Sequence, residues 1–444
     1  MAEQTGWQLG DGSRIAVMGG GPAGSFFSYF LLDMAERAGI DLQVEIYEPQ
    51  DFSRPGPAGC NHCGGIVHES LVQILATEGI NLPPSVVQRG IDSHILHMGV
   101  GSARIETPLQ EKRIGAMYRG AGPRGMNERK WESLDGYLLS LAVAKGANVI
   151  RGRVNEVSLS DGRPEITARG GSAATYDLLA VAAGVNTTAL KLFQELGFGY
   201  EPPHAVKTSV REYYLGEETV EACLGSSVHV FLLNIPRLKF AALIPKGDYV
   251  TMCLVGDEID QELIGALLDR PEVIECFPPG FPLQQPSCSC FPRIVTRGAR
   301  QPFADRIVFL GDCGVTRFYK DGIGSAYRAA KAAATTAVFA GISAEDFRQH
   351  YGTLCRRLRL DNTIGKLVFA IVGQIQRRRF ARRAALRMVA REQQGEMANQ
   401  RLSMVMWDMY TGGSPYGEIL FRTLHPGFWG PFLGDLAVSL AGGD

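Results

Sequence analysis

One stretch near the start of the chain leaves few options for the fold. The apolar run Arg14–Met18 (RIAVM) passes directly into Gly19-Gly20-Gly21-Pro22-Ala23-Gly24, which fits GxGxxG. Phe26, Phe27, Phe30, Leu31 and Met34 then recur at helical spacing, and a second apolar run, Leu42–Tyr47, ends at Glu48. The order strand, glycine turn, helix, strand, acid predicts a βαβ unit that holds a dinucleotide. Gly19 allows the tight turn, Gly21 lets the backbone approach a pyrophosphate, and Gly24 lets the helix lie against the strand. Pro22 and Ala23 open the helix, whose free N–H groups face the phosphates. Glu48 is placed to accept ribose hydroxyls. The unit alone does not separate one dinucleotide from another.

Glycine makes up 53 of the 444 residues, about 12% against a usual ~7%. The excess is partly local, as phosphate-binding turns require. Lys plus Arg number 45 and Asp plus Glu 46, a net charge of −1, so no global basic field draws the chain to nucleic acid. Met1–Gly12 has no charged-then-apolar pattern, and apolar runs such as Leu178–Val185 fall far short of the ~20 residues that span a bilayer. The expectation is a cytoplasmic chain, soluble or bound at the inner membrane surface. No GxSxG, Walker A or HExxH pattern supports hydrolysis or phosphotransfer, and the histidines are scattered.

A second group of motifs lies far downstream. The apolar run Arg306–Leu310 leads into Gly311-Asp312, a loop, Gly322-Ile323-Gly324, and an alanine-rich helical segment. Tyr176–Val181 reads as another strand, followed by Ala182-Ala183-Gly184-Val185. Together these resemble the flavin motifs of the p-hydroxybenzoate hydroxylase-type FAD-dependent oxidoreductases. The resemblance implies noncovalent FAD, with Asp312 on the ribityl hydroxyls and Gly322, Ile323 and Gly324 facing the flavin pyrimidine ring. Ala183 and Gly184 would form the turn that crosses beneath the cofactor. Leu134-Asp135-x-x-Leu138 resembles a helix that carries an arginine in the family. Here Trp131 stands at the arginine's place and Arg129 lies two residues earlier.

Within that group the chain looks most like the geranylgeranyl reductase branch. Arg54-Pro55 through Cys60-Asn61-His62-Cys63-Gly64-Gly65 resembles its turn beside the flavin, and Phe240–Pro245 (FAALIP) its substrate-domain strand. The implied activity is reduction of a C=C bond in a hydrophobic, isoprenoid-like substrate, with NAD(P)H or an electron-donor protein as reductant. Cys63, His62 and Tyr319 are the candidates for the catalytic proton. Two alternatives stay open: a monooxygenase of the same fold, and a membrane-docked flavin electron-transfer protein.

The expected fold is a mixed α/β one. A discontinuous Rossmann-like FAD-binding domain (1–110, 125–190 and 300–345) would carry an inserted β-sheet substrate domain (191–299) and a helical C-terminal region (346–444). Nine cysteines, an odd number, argue against a disulfide framework. They are read as core and turn residues with no metal site expected. The alternatives are a redox pair at Cys60/Cys63, or a metal held by that pair with Cys288-x-Cys290 and Cys276 or His62. Arg317 and Lys320 read as solvent-facing loop charges, or as groups that hold an anionic substrate. Residues 354–391 carry eleven basic side chains against Asp361 alone, which reads as a membrane-facing element or a solvated cationic face.

Overall fold

The computed structural model describes residues 7–56, 64–108, 114–123, 131–395 and 400–441. Of the residues singled out above, Cys60, His62, Cys63 and Arg129 lie outside them. The chain divides into two compact units, each assembled from three segments. The first comprises 1–54, 133–205 and 293–362; the second comprises 55–132, 206–292 and 363–444.

The first unit is built on a six-stranded sheet in the order Phe303–Ala304, Ile307–Phe309, Leu178–Val181, Ser13–Met18, Leu42–Tyr47, Asn148–Ile150. All neighbours run parallel except the first two. The strands are short and apolar because parallel strands are covered on both faces; Ile15, Ala16, Leu178, Leu179, Ala180 and Val308 have no exposed surface. The helices Pro22–Ala38 and Gly322–Phe339 pack together through rings and small residues. Tyr327 meets Phe26 and Phe30 edge-on at 5.8 and 5.6 Å, and Ala329, Ala330, Ala333 and Ala334 are buried beside them. The helix Leu134–Ala144 carries the Leu134-Asp135-x-x-Leu138 motif, its Ser133 side chain accepting the Gly136 N–H at 3.0 Å as the N-cap.

The second unit holds a seven-stranded mixed sheet: Cys288–Cys290, Ser209–Tyr214, Tyr249–Gly256, Leu238–Lys246, Ser227–Phe231, Ser93–His97, Ser102–Glu106. One face packs Phe231, Leu243 and Met252 against Leu263, Ile264 and Leu267 of the helix Gln261–Leu268. Residues 55–110 were expected with the nucleotide unit. They group here because Ser93–His97 pairs in parallel with Ser227–Phe231. The C-terminal region is also not a separate body: 346–362 belong to the first unit and 363–444 to the second. The terminal helix Pro426–Ala441 is tied to Arg379–Gln394 by Arg391 on Asp435 and Arg387 on Ser439.

His94 is fully enclosed on the opposite side of its strand, stacked on Trp407 at 4.5 Å, with no partner for Nε2 among the described residues. Burial holds its pKa down to about 3. The folded chain therefore keeps this imidazole neutral while the unfolded chain protonates it below its ordinary value of about 6.5. Stability from this group is complete above that value and drains away as pH falls toward about 3. At pH 4.5 the expected loss is about 2–3 kcal/mol relative to pH 7. His94→Phe removes that part of the acid sensitivity, so its urea midpoint falls less between pH 7 and 4.5. Identical pH dependence in both proteins would contradict the assignment.

Candidate nucleotide site

The glycine turn leaves the end of the strand Ser13–Met18, where two other chain segments meet it. Gly19 N–H donates to Tyr47 O at 3.0 Å, and Ala182 N–H donates to Met18 O at 2.8 Å. A Cβ at Gly19 (φ +110) would lie 2.5 Å from Ala182 O, and one at Gly24 only 1.9 Å from Gly19 O. Both positions exclude a side chain because backbone occupies the space. This is the close helix–strand approach expected of Gly24, and at Gly19 it adds a backbone conformation that glycine alone adopts cheaply.

Glu48 sits at the rim of this turn. Its Oε2 accepts the Gly20 N–H at 2.8 Å and its Oε1 the Gln50 N–H at 2.7 Å. Burial raises its pKa, and the two backbone N–H donors oppose that shift. Two accepted bonds leave lone pairs on both oxygens for further donors such as hydroxyls.

The distal motif comes to the same edge of the sheet. Ile307–Phe309 pairs with Leu178–Val181, and Leu310 N–H donates to Val181 O at 2.8 Å. Gly311–Cys313 follows as a short 3-10 turn that places the partly exposed Asp312 beside the Ala182–Gly184 turn. Cys313 Sγ donates to Val181 O at 3.0 Å, so this buried thiol is a structural tie. At Gly184 and Gly322 a Cβ would meet nothing within 4 Å. Open space at these two glycines, with crowding at Gly19 and Gly24, describes a cradle rather than a filled core. The helices beginning at Pro22 and Gly322 both start without a side-chain cap among the described residues, so their first N–H groups remain available to a ligand. Glu48, Ala183, Gly184, Asp312, Gly322, Ile323 and Gly324 thus gather with the glycine turn in one unit, and this donor set suits a dinucleotide.

The loop before Gly322 differs from its sequence reading. Arg317 and Lys320 are buried, each 8% exposed. Arg317 Nη1 lies 2.8 Å from Asp321 Oδ2 and its Nε 3.6 Å from Asp361 Oδ2, while Arg328 pairs with Asp321 from the other side. Tyr319 and Asp321 take left-handed backbone, φ 58 and 53, and Tyr319 stacks on Phe318 at 3.8 Å. The Asp321 carboxylate leans over the first helical turn so closely that a Cβ at Gly324 would be 2.1 Å from Oδ1. Gly324 is therefore needed by Asp321. The physical reason Arg317 is buried is neutralisation by Asp321 and by Asp361, which arrives from the helix Tyr351–Arg377.

The second unit contains buried ionisable groups that sequence reasoning passed over. Lys246 closes the apolar strand Leu238–Lys246 and has no exposed surface. Its Nζ sits 4.4 Å over the Tyr118 ring and makes no hydrogen bond among the described residues. Glu212 accepts from Thr251 Oγ1 at 2.8 Å, and burial raises its pKa. A Cβ at Gly65 would lie 3.0 Å from Lys246 Nζ, so the glycine pair that follows Cys63 in sequence rests on this cluster. The only hint in the sequence was a lysine ending an apolar run.

No protein-family model matches the sequence, and no curated protein matches it. Solved structures do. A geranylgeranyl bacteriochlorophyll reductase-like protein from Thermoplasma acidophilum superposes with a TM-score of 0.65 at 15% identity, over 97% of this chain and 99% of that one. A flavoprotein/dehydrogenase from Cytophaga hutchinsonii gives 0.61 at 14%, over 97% and 100%. A p-nitrophenol 4-monooxygenase from Pseudomonas putida gives 0.59 at 12%, over 92% and 100%. The chain shares the fold of these three proteins. The α/β class and the resemblance read from the glycine motifs both hold.

Of the eleven basic residues in 354–391, several serve this fold internally. Arg359 donates to Ala299 O at 2.8 Å, Arg382 to Met98 O at 2.7 Å, and Arg391 pairs with Asp435. Among the described residues no helix is long and apolar enough to cross a membrane.

Proposed function

We propose that this chain is an FAD-dependent oxidoreductase, and that it reduces a C=C bond in a hydrophobic, isoprenoid-like substrate. What carries the reading is the gathering of the glycine turn, Glu48, the Ala182–Gly184 turn, Asp312 and the Gly322 helix at one edge of one parallel sheet. Bound FAD would supply hydride chemistry. The backbone of Gly21, Pro22, Ala23 and Gly24 would receive the pyrophosphate, and Glu48 the adenosine ribose. Asp312 would take the ribityl hydroxyls. The free N–H groups at Gly322, Ile323 and Gly324 would hold the pyrimidine edge, with Ala183 and Gly184 beneath; Arg129 is the arginine we assign to the cofactor. Cys63, His62 and Tyr319 are the groups we assign to proton delivery.

The finer reading is supported by the name of the Thermoplasma relative and by the motif Cys63-Gly64-Gly65. NAD(P)H or an electron-donor protein would be the reductant. We place the protein in the cytoplasm with peripheral contact at the inner membrane face. Leu360, Leu367 and Ile371 support that contact: they are 66%, 52% and 44% exposed on the helix that carries Arg356, Arg357 and Lys366.

The test begins with the purified chain's visible spectrum, which should show oxidised flavin that NADH or NADPH bleaches. Glu48→Ala and Asp312→Ala should each retain less FAD; full retention in both contradicts the assigned contacts. Turnover of a polyprenyl substrate should continue without oxygen. The same-fold neighbour that is a p-nitrophenol 4-monooxygenase favours a second reading, oxygen insertion. That reading requires turnover to stop anaerobically.

A further inference from the structure

Three side chains that are far apart in sequence converge inside the second unit. His97 ends the strand Ser93–His97, and His229 lies on its parallel neighbour Ser227–Phe231. Cys276 follows the short helix Pro271–Ile274 that covers this face of the sheet. His97 Nε2 is 3.0 Å from His229 Nδ1, and Cys276 Sγ is 3.1 Å from the same nitrogen. The three donor atoms all lie within 4.8 Å of one another.

We propose that His97, His229 and Cys276 form a binding site for a thiophilic transition-metal ion, zinc above others.

Hydrogen bonding alone does not account for the convergence. A neutral imidazole nitrogen such as His229 Nδ1 offers one in-plane lone pair or one proton. Here an imidazole and a thiol both press on it. The thiol's other neighbour, Glu272 O, is at 3.3 Å, and His229 Nε2 has no partner among the described residues. A metal ion engages all three lone pairs at once. Zinc bonds of about 2.0–2.1 Å to nitrogen and about 2.3 Å to sulfur put tetrahedral edges at about 3.3–3.6 Å. The observed 3.0 and 3.1 Å need to open by a few tenths of an ångström, and the edge from His97 Nε2 to Cys276 Sγ, within 4.8 Å, adjusts to the same tetrahedral span.

The donor chemistry also fits. Two imidazoles and a thiolate suit zinc better than magnesium or calcium, which prefer oxygen. Binding displaces the thiol proton to solvent, so the site gains a thiolate–metal bond and loses one H⁺. Glu272 sets a carboxylate charge near His97, which partly offsets the cation's charge. Phe231 stacks on His97 at 4.7 Å and fixes the ring. The ion would clasp two strands and the covering helix of one unit. It has no part in the nucleotide site.

The experiment uses the full-length flavin-loaded protein, equilibrated with zinc sulfate, desalted, and assayed for metal by mass spectrometry. A background with Cys60, Cys63, Cys288 and Cys290 all replaced by serine removes the other thiol pairs. We expect about one zinc per chain in both wild type and that background. Cys276→Ser and His229→Ala should each lower the ratio at least about tenfold while FAD content is retained. If the variants do not fold, the protein lacking Cys60, Cys63, Cys288 and Cys290 still decides when loaded with cobalt. A thiolate-to-cobalt charge-transfer band supports the site, and bound cobalt without that band overturns it. Zinc below about a tenth of an equivalent in wild type, or an unchanged ratio in folded Cys276→Ser, also overturns it.

Discussion

Gly24→Ala should leave the purified protein with less than about a tenth of its FAD, a deficit of more than ~1.4 kcal/mol in binding. The added methyl would sit 1.9 Å from Gly19 O and 3.1 Å from a Val17 methyl. The first obstacle is backbone, so no rotamer change relieves it. Either the helix Pro22–Ala38 lifts from the strand or the glycine turn opens. Both move the helix N-terminus that would hold the pyrophosphate. The strain of a single inserted methyl is typically about 1–3 kcal/mol, so the chain should still fold. FAD released by denaturation, measured per mole of folded protein, checks this. Gly10→Ala is the control, since a Cβ there meets nothing within 4 Å. Equal FAD content in Gly24→Ala and wild type would remove the glycine turn from the site.

Asp321→Asn should destabilise the first unit by about 3–5 kcal/mol, the usual cost of removing one partner from a buried ion pair. The Asp321 side chain is 2% exposed and holds both Arg317, itself 8% exposed, and Arg328. Asparagine tolerates the left-handed backbone found at this position, φ 53, so the substitution tests the charge and not the turn. Asp361 cannot serve both arginines, since it lies 3.6 Å from Arg317 Nε and the other guanidinium belongs to a different helix. Urea midpoints multiplied by the wild-type slope give the loss. A midpoint within error of wild type would mean that Arg317 reaches water. Combining Asp321→Asn with Arg317→Met should restore part of the stability, because the orphaned charge then leaves as well.

How much of this was readable from sequence depends on the range of the interactions. Local signals worked. The strand Leu42–Tyr47 has the bounds read from its apolar spacing, and Leu134-Asp135-x-x-Leu138 lies on a helix as its resemblance implied. The glycine turn and its acid were legible because each residue's job is set by neighbours within one βαβ unit. Partnerships between distant segments were not. Arg317 reads as a loop charge until Asp361, on the later helix Tyr351–Arg377, is seen beside it. Segment 55–110 carries no composition that assigns it to one sheet or another; only the parallel pairing of His97 with Phe231 does so. His97 and His229 are 132 positions apart, so no spacing rule joins them. The basic stretch meets the same limit. Arg382 and Arg391 spend their charge on a carbonyl and a carboxylate of the same unit, which net-charge arithmetic does not register.

The interleaving of the two units bears on how the polypeptide leaves the ribosome. The chain passes from one unit to the other after Arg54, Glu132, Ala205, Pro292 and Asn362. The strand Ser13–Met18 is made almost first, yet its sheet gains Ile307–Phe309 only when most of translation is over. Unit by unit folding during synthesis is closed to such a layout. Nascent glycine-rich and apolar strands must wait, exposed, for partners hundreds of codons downstream, and that is the regime in which holdase chaperones matter most. For the same reason no single contiguous fragment can be expressed as either unit alone. A truncation at residue 362 would complete one sheet and strand the other without its closing helices.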